Sequence, residues 1–138
     1  MAKMQLERAS LKMKHFLSFD VEDIYQTAKE RGFSNWRKDV EGERLRLENI
    51  LNLLEEYNSK ATFFILTEVM DDYKDLILEA HKKGHEIASH GHEHVRIWKR
   101  SKTELERDIV KSKSLLEDLL GIPILGYRAP GFSLTCLS

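Results

Sequence analysis

A chain of 138 residues has room for about one domain, and 41% hydrophobic with 33% charged residues is the composition of a chain that buries a core rather than of a disordered tail. Twenty-two basic against 23 acidic side chains leave a formal net charge of −1, which excludes the strongly basic footprint of a nucleic-acid binder. No apolar run reaches the roughly 18 residues of a membrane span, and Met1-Ala2-Lys3-Met4-Gln5-Leu6-Glu7-Arg8 lacks an apolar signal core, so the chain is read as cytoplasmic.

Residues 1–13 mix Lys, Arg, Met and Leu and are expected to form a short helix or a flexible N-terminus. His15-Phe16-Leu17-Ser18-Phe19 is a compact apolar run that stops at Asp20-Val21-Glu22-Asp23, the pattern of a buried strand that delivers carboxylates at its C-terminal end. Residues 24–42 keep no sustained period and read as a loop with a short helix at Ile24–Lys29. Leu45, Leu47, Ile50, Leu51, Leu53, Leu54 and Tyr57 then recur at helical spacing and predict an amphipathic helix over 43–57. Ala61-Thr62-Phe63-Phe64-Ile65-Leu66-Thr67 is nearly all β-branched or apolar, which predicts a strand covered on both faces.

Asp71-Asp72 opens another helix, where the macrodipole favours acids; Leu76, Ile77 and Ala80 face inward and Gly84 follows its end. His85-Glu86-Ile87-Ala88-Ser89 is a third strand. A long helix over 102–120 follows, with Leu105, Ile109, Leu115, Leu116, Leu119 and Leu120 inside. Ile124–Tyr127 is a fourth strand, leading to Arg128-Ala129-Pro130-Gly131. The order βαβαβαβ implies an α/β domain over 1–138, with parallel strands and crossover helices. Every polar motif stands at the C-terminal end of a strand, where such sheets build their sites. The lone Cys136 has no intrachain partner and reads as an ordinary thiol.

Two stretches have chemical potential. In Ser89-His90-Gly91-His92-Glu93-His94, His90 and His94 are four apart, the spacing that sets two imidazoles on one side of a helical turn. They are candidate metal ligands, the alternative being a histidine-rich surface loop. His92 is expected to point elsewhere, and His81 and His85, separated by Gly84 and an element boundary, read as structural. Asp20, Glu22 and Asp23 would repel one another if packed without a cation, unless they form a solvated loop. With a divalent ion, one carboxylate completes a His-His-carboxylate set while another stays free as a base. Arg128 is placed to orient that base, or else forms a rim salt bridge.

These fragments, in order, resemble the NodB-homology polysaccharide deacetylases, carbohydrate esterase family 4, and most closely a branch whose first motif reads Asp-Val-Glu-Asp. The likeness rests on Ser18–Asp23, on Ala61–Phe64, on Gly84–His90 through His94, and on Arg128-Ala129-Pro130-Gly131-Phe132-Ser133, covering about residues 14–133. It implies the N-terminal part of a distorted (β/α) barrel of the polysaccharide deacetylase type, with about four parallel strands. It implies a hydrolase that removes acetyl groups from N-acetylated sugars, with a divalent metal, Zn²⁺ being the expected ion. In that scheme the metal lowers the pKa of bound water towards about 7 and polarises the acetyl carbonyl.

The resemblance casts Asp20 as catalytic base, Arg128 as its tether, and His90 and His94 as metal ligands. Val21 stands where the commonest family pattern has its ligand aspartate, so the carboxylate ligand is Glu22 or Asp23. The related Asp-x-Asp pattern favours Glu22; the preference for an aspartate ligand favours Asp23. The backbone N–H of Gly131 is the implied oxyanion donor, although the family usually has an aromatic residue there. No histidine follows His94, whereas the family uses a later one to protonate the leaving amine. About four βα units, against seven or eight family strands, imply a partial barrel with weak activity on its own. Such an open sheet favours self-association through its exposed edge. Two other readings stay open: a non-catalytic metal- or glycan-binding remnant, and a ring-amide hydrolase on the same scaffold, which the paired histidines disfavour.

Overall fold

The computed structural model describes residues 15–33 and 35–134; the N-terminal segment 1–13 and Cys136 lie outside them. The elements are β1 (Ser18–Val21), α1 (Ile24–Glu30), α2 (Val40–Glu56), β2 (Thr62–Ile65), α3 (Lys74–Lys82), β3 (Glu86–Ser89) and α4 (Lys102–Leu120), with short 3₁₀ turns at Met70–Tyr73, Ile97–Lys99 and Pro130–Phe132. The strands form one parallel sheet in the order β1-β2-β3. Asp20 stands opposite Phe64 and Phe64 opposite Ala88, so the three strands leave the sheet along one edge. Among the described residues no helix is long and apolar enough to cross a membrane.

The strands alternate between two faces, because successive side chains of an extended chain point opposite ways. Val21, Phe63, Ile65 and Ile87 enter the main apolar cluster. There they meet Leu47, Leu51 and Leu54 of α2, Leu76, Ile77 and Ala80 of α3, and Leu116 of α4. The opposite face carries Ser18, Asp20 and Phe64, each only partly covered or exposed. The expectation that the second strand is covered on both faces is thus corrected: Phe63 and Ile65 are buried while Thr62 and Phe64 are half-buried. Polar chemistry gathers on that second face.

Several boundaries move for identifiable reasons. The first strand starts at Ser18 rather than His15, since Phe16 is 92% exposed and has nothing to pack against. The second helix starts at Val40 because the Asp39 side chain caps it, accepting from Gly42 N at 3.1 Å. Asp71-Asp72 lies in a 3₁₀ turn, and α3 begins only at Lys74. Asp72 is drawn out to pair with Lys38, and Asp75 takes both guanidinium nitrogens of Arg44 at 2.8 and 2.6 Å.

The fourth strand shortens to one parallel bridge, Ser89 with Tyr127. Ile124 turns its ladder groups away: its N–H donates to Glu117 Oε1 and its carbonyl accepts from Lys113 Nζ, both at 2.9 Å. Leu125 beside it is 90% exposed. Two bonds survive, Ser89 N to Gly126 O and Arg128 N to Ser89 O, each 2.9 Å. Gly126 permits this approach, since a Cβ there would fall 2.9 Å from that of Ala88.

Helix α4 spans the expected residues and is closed by a capping box of Ser101 with Glu104 and by Gly121 at φ +68°. Its buried stripe differs from the expected leucines. Asp108, Ser112 and Leu116, four apart, face inward, while Leu115, Leu119 and Leu120 are only partly buried. Leu116→Ala is expected to cost about 2–5 kcal/mol and Ser101→Ala about 0.5–2 kcal/mol. Urea unfolding checks both; equal losses would contradict the burial difference.

Candidate metal and base site

The histidine loop is fastened before it does anything else. His90 N donates to Ile65 O at 2.8 Å, Thr67 N to Gly91 O and Glu68 N to His92 O, both at 3.0 Å, so the exit of β3 is laced to the exit of β2. From below, Asp108 accepts from His92 N at 2.9 Å and Glu93 N at 3.1 Å while Arg100 Nη1 stands 3.1 Å away. Ser112 Oγ meets Ser89 Oγ at 2.7 Å, and Ser89 Oγ accepts from Gly91 N at 3.0 Å. Gly91 has φ +86°, and a Cβ there would lie 2.8 Å from Asp108 Oδ2. The segment is an irregular loop, not the helical turn that the four-residue spacing implied.

That loop brings His90 and His94 together, ring centroids 5.7 Å apart and both buried. His90 Nδ1 is 2.9 Å from the Arg128 carbonyl. A carbonyl only accepts, so Nδ1 is the donor and Nε2 is the nitrogen that faces Glu22. Glu22 Oε2 lies 3.5 Å from His90 Nε2 and 3.0 Å from His94 Nε2, and is itself buried without a hydrogen bond. Burial pushes the Glu22 carboxyl up, but the two imidazoles outweigh this and hold it at about 2. Burial, the largest single influence, pulls the His94 imidazole down, but Glu22, Glu30 and a backbone hydrogen bond together raise it above its ordinary value.

The two candidate carboxylates, Glu22 and Asp23, stand in different places. Asp23 is fully buried as the cap of α1, accepting from Tyr25 N at 2.8 Å and Asp39 N at 3.2 Å. Glu22, one residue earlier, faces the imidazoles. Glu22, His90 and His94 offer ligand atoms all within 4.8 Å of one another. Two imidazole nitrogens and one carboxylate oxygen, Glu22 Oε2, which is itself buried without a hydrogen bond, make a donor set that fits Zn²⁺. Asp20 stays outside that trio, its Oδ2 3.8 Å from His90 Nε2.

Arg128 holds Asp20 from the far side, Nη1 to Oδ1 at 2.6 Å, and its Nη2 donates to Ser18 Oγ at 2.7 Å. Its guanidinium stacks 3.9 Å from the Phe64 ring centroid. Gly131 sits in the Pro130–Phe132 turn at φ +60°, and the exposed Phe132 ring lies 5.5 Å from the same guanidinium. His92 instead bonds Thr67 Oγ1 at 3.0 Å, and buried His85 accepts from Ala61 N at 3.3 Å.

Sequence reasoning passed over Ser18, Phe64, Glu30 and Asp108. Only Asp108 left a trace, an acid on the same helical stripe as Leu105, Ser112 and Leu116.

This is a β/α layer with a His-His-carboxylate cluster at its strand exits. A family profile described as polysaccharide deacetylase matches residues 40–135. The chain therefore belongs to the polysaccharide deacetylase family; the Asp20–Asp23 stretch precedes the matched residues. A peptidoglycan-N-acetylglucosamine deacetylase of Bacillus cereus (strain ATCC 14579) is 34% identical over 82 residues, 59% of this chain and 38% of that protein. Among solved structures, the Bc1960 peptidoglycan N-acetylglucosamine deacetylase aligns with TM-score 0.68 and 24% identity over 88% of this chain and 48% of that one. BA3943 of Bacillus anthracis, a CE4 family pseudoenzyme, aligns with TM-score 0.66 and 16% identity over 88% of this chain and 36% of that one. The α/β layer is thus part of a deacetylase barrel, and this chain spans less than half the length of these three relatives.

Replacing Asp108 with Ala leaves two amides without acceptors and Arg100 with Glu93 as its remaining carboxylate partner. The expected loss is about 3–5 kcal/mol, with faster hydrogen exchange at His92 and Glu93. Unchanged exchange there would remove the clamp from the account.

Proposed function

We propose that this chain contributes the metal-binding and base portion of a hydrolase site that removes acetyl groups from N-acetylated sugars of a glycan. The observation that carries the reading is the meeting of Glu22 Oε2, His90 Nε2 and His94 Nε2, with Asp20 beside them and tied to Arg128. Family membership and relatives named for peptidoglycan N-acetylglucosamine support the substrate class.

When bound, a divalent ion such as Zn²⁺ supplies Lewis acidity, polarising an amide carbonyl and acidifying water. Glu22, His90 and His94 are the residues that would hold it. The Asp20 carboxylate is divided between two tasks. Its Oδ1 is engaged by Arg128, which fixes the group in direction. Its Oδ2, turned towards His90, is the oxygen assigned to take the proton from attacking water. The N–H of Gly131 is assigned as donor to the developing oxyanion. Gly131 suits that turn, since a side chain there would crowd Arg96, whose Nε would lie 3.0 Å from a Cβ.

The loop has no histidine to spare for the departing amine: His90 and His94 face Glu22, and His92 is held by Thr67. A proton donor of this kind is worth about 10²–10⁴-fold, so slow turnover is expected from the 138-residue chain. Likeness to a pseudoenzyme shows that the fold alone does not establish turnover.

The test measures zinc content after dialysis and acetate release from N-acetylglucosamine oligomers. Stoichiometric zinc, lost on combined His90→Ala and His94→Ala substitution, is the expected result. Slow acetate release should stop with a chelator and fall to background in Asp20→Asn. Zinc retained by the double variant would refute the site. Zinc binding with no acetate release from several glycans would favour a non-catalytic binding role.

A further inference from the structure

We propose that Glu30 is a positioning residue for His94, fixing the imidazole with its proton on Nδ1 and its Nε2 lone pair turned to the Glu22 side. This inference rests on the metal-site reading above.

Glu30 is the last residue of α1, and its side chain is only 5% exposed. A buried carboxylate costs several kcal/mol unless it is paired, so its surroundings must account for it. Lys99 Nζ lies 3.1 Å and Arg96 Nε 3.8 Å from Oε1. These cations explain one oxygen. Oε2 points elsewhere, to His94 Nδ1 at 3.9 Å.

Both atoms of that facing pair are buried and neither has a hydrogen bond. An imidazole N–H opposite a carboxylate oxygen is a matched pair, and a shift of about 1 Å or one bridging water joins them. Either would place the proton on Nδ1, the only tautomer of neutral His94 that leaves Nε2 free to bind a cation. His90 already has its counterpart, the Arg128 carbonyl at 2.9 Å. His94 receives a carboxylate in the same role, which also makes its ring a stronger donor.

The sequence geometry is economical. Asp23 caps α1, so the seven residues Ile24–Glu30 set Glu22 before the helix and Glu30 at its end. One short helix thereby brackets His94, with a carboxylate at Nε2 and another at Nδ1. Lys99 and Arg96, from the turn just after the histidine loop, neutralise the second carboxylate, so the pocket does not accumulate uncompensated negative charge.

The test compares zinc affinity by chelator competition for the unaltered 138-residue chain, Glu30→Gln, Glu30→Ala, Lys99→Met and His94→Ala. Imidazole ¹⁵N shifts of His94 are recorded alongside in metal-free protein carrying Glu22→Ala, which removes the acceptor 3.0 Å from Nε2. Glu30→Ala should bind zinc about 10–100-fold more weakly, with Glu30→Gln intermediate because its amide oxygen still accepts. In that background His94 should carry its proton on Nδ1 when Glu30 is present and shift to a tautomer mixture in Glu30→Ala. Lys99→Met should stay within about threefold of the unaltered chain, because it removes the ion pair and leaves the carboxylate. If Glu30→Ala does not fold, the Glu30→Gln tautomer decides alone, since that variant preserves shape. An unchanged tautomer, or a Lys99→Met loss as large as that of Glu30→Ala, would overturn the proposal and make Glu30 an ion-pair anchor. Wild-type zinc affinity in His94→Ala would instead overturn the metal reading itself.

Discussion

The parallel register of three short strands is the constraint from which the site follows. With Asp20, Phe64 and Ala88 on one rung, the chain leaving β1 and the chain leaving β3 emerge side by side, one strand apart. Two residues beyond that rung lie Glu22 and His90. A register shift of one residue would turn Asp20 into the apolar layer and Val21 towards Arg128. Such a slip of β1 is costly, because Val21 would leave the cluster it shares with Phe63, Ile65 and the helices while a carboxylate entered it.

Around that frame, charge is arranged in layers. Glu22 and the two imidazoles occupy the middle, Asp20 and Arg128 one flank, Glu30 with Lys99 and Arg96 the other. Glu22, Glu30 and Asp108 each have a cationic or imidazole neighbour, and Asp23 is held by two backbone N–H groups, which is what allows so many ionisable groups to leave water. The loop that carries the histidines is held in turn by polar groups of α4. Asp108 and Ser112 occupy helix positions that an ordinary core would give to leucine. Helix α4 therefore gives up some apolar burial to fix the loop, a division of labour common where a fold must position chemistry.

Much of this was legible in the residues. The alternation of apolar runs with helical periods announces a parallel α/β layer, and both helices α2 and α4 fall within a few residues of the periodicity. His90 and His94 stand out because two imidazoles four residues apart at a strand exit can converge on one cation. What spacing does not carry is which of two adjacent acids turns inward. That depends on the start of α1, whose first turn consumes Asp23 as a cap and leaves Glu22 outside. The four-residue interval also misled about local shape, since Gly91 at φ +86° and the Asp108 clamp, not a helical turn, bring the rings together. Glu30 and Phe64 were invisible for a different reason: each matters through a neighbour more than fifteen positions or an element boundary away. The fourth strand faded because Glu117 and Lys113 compete for the backbone of Ile124, a tertiary effect that no local pattern records.

The central claim is that Glu22, not its neighbour, joins His90 and His94 around one cation. X-ray absorption at the zinc edge, on the loaded chain and on Glu22→Gln and Asp23→Asn, addresses it most directly. The account predicts two imidazole nitrogens and a carboxylate oxygen at about 2.0–2.2 Å, with the oxygen shell lost in Glu22→Gln and kept in Asp23→Asn. An oxygen shell that survives Glu22→Gln and disappears in Asp23→Asn would contradict it.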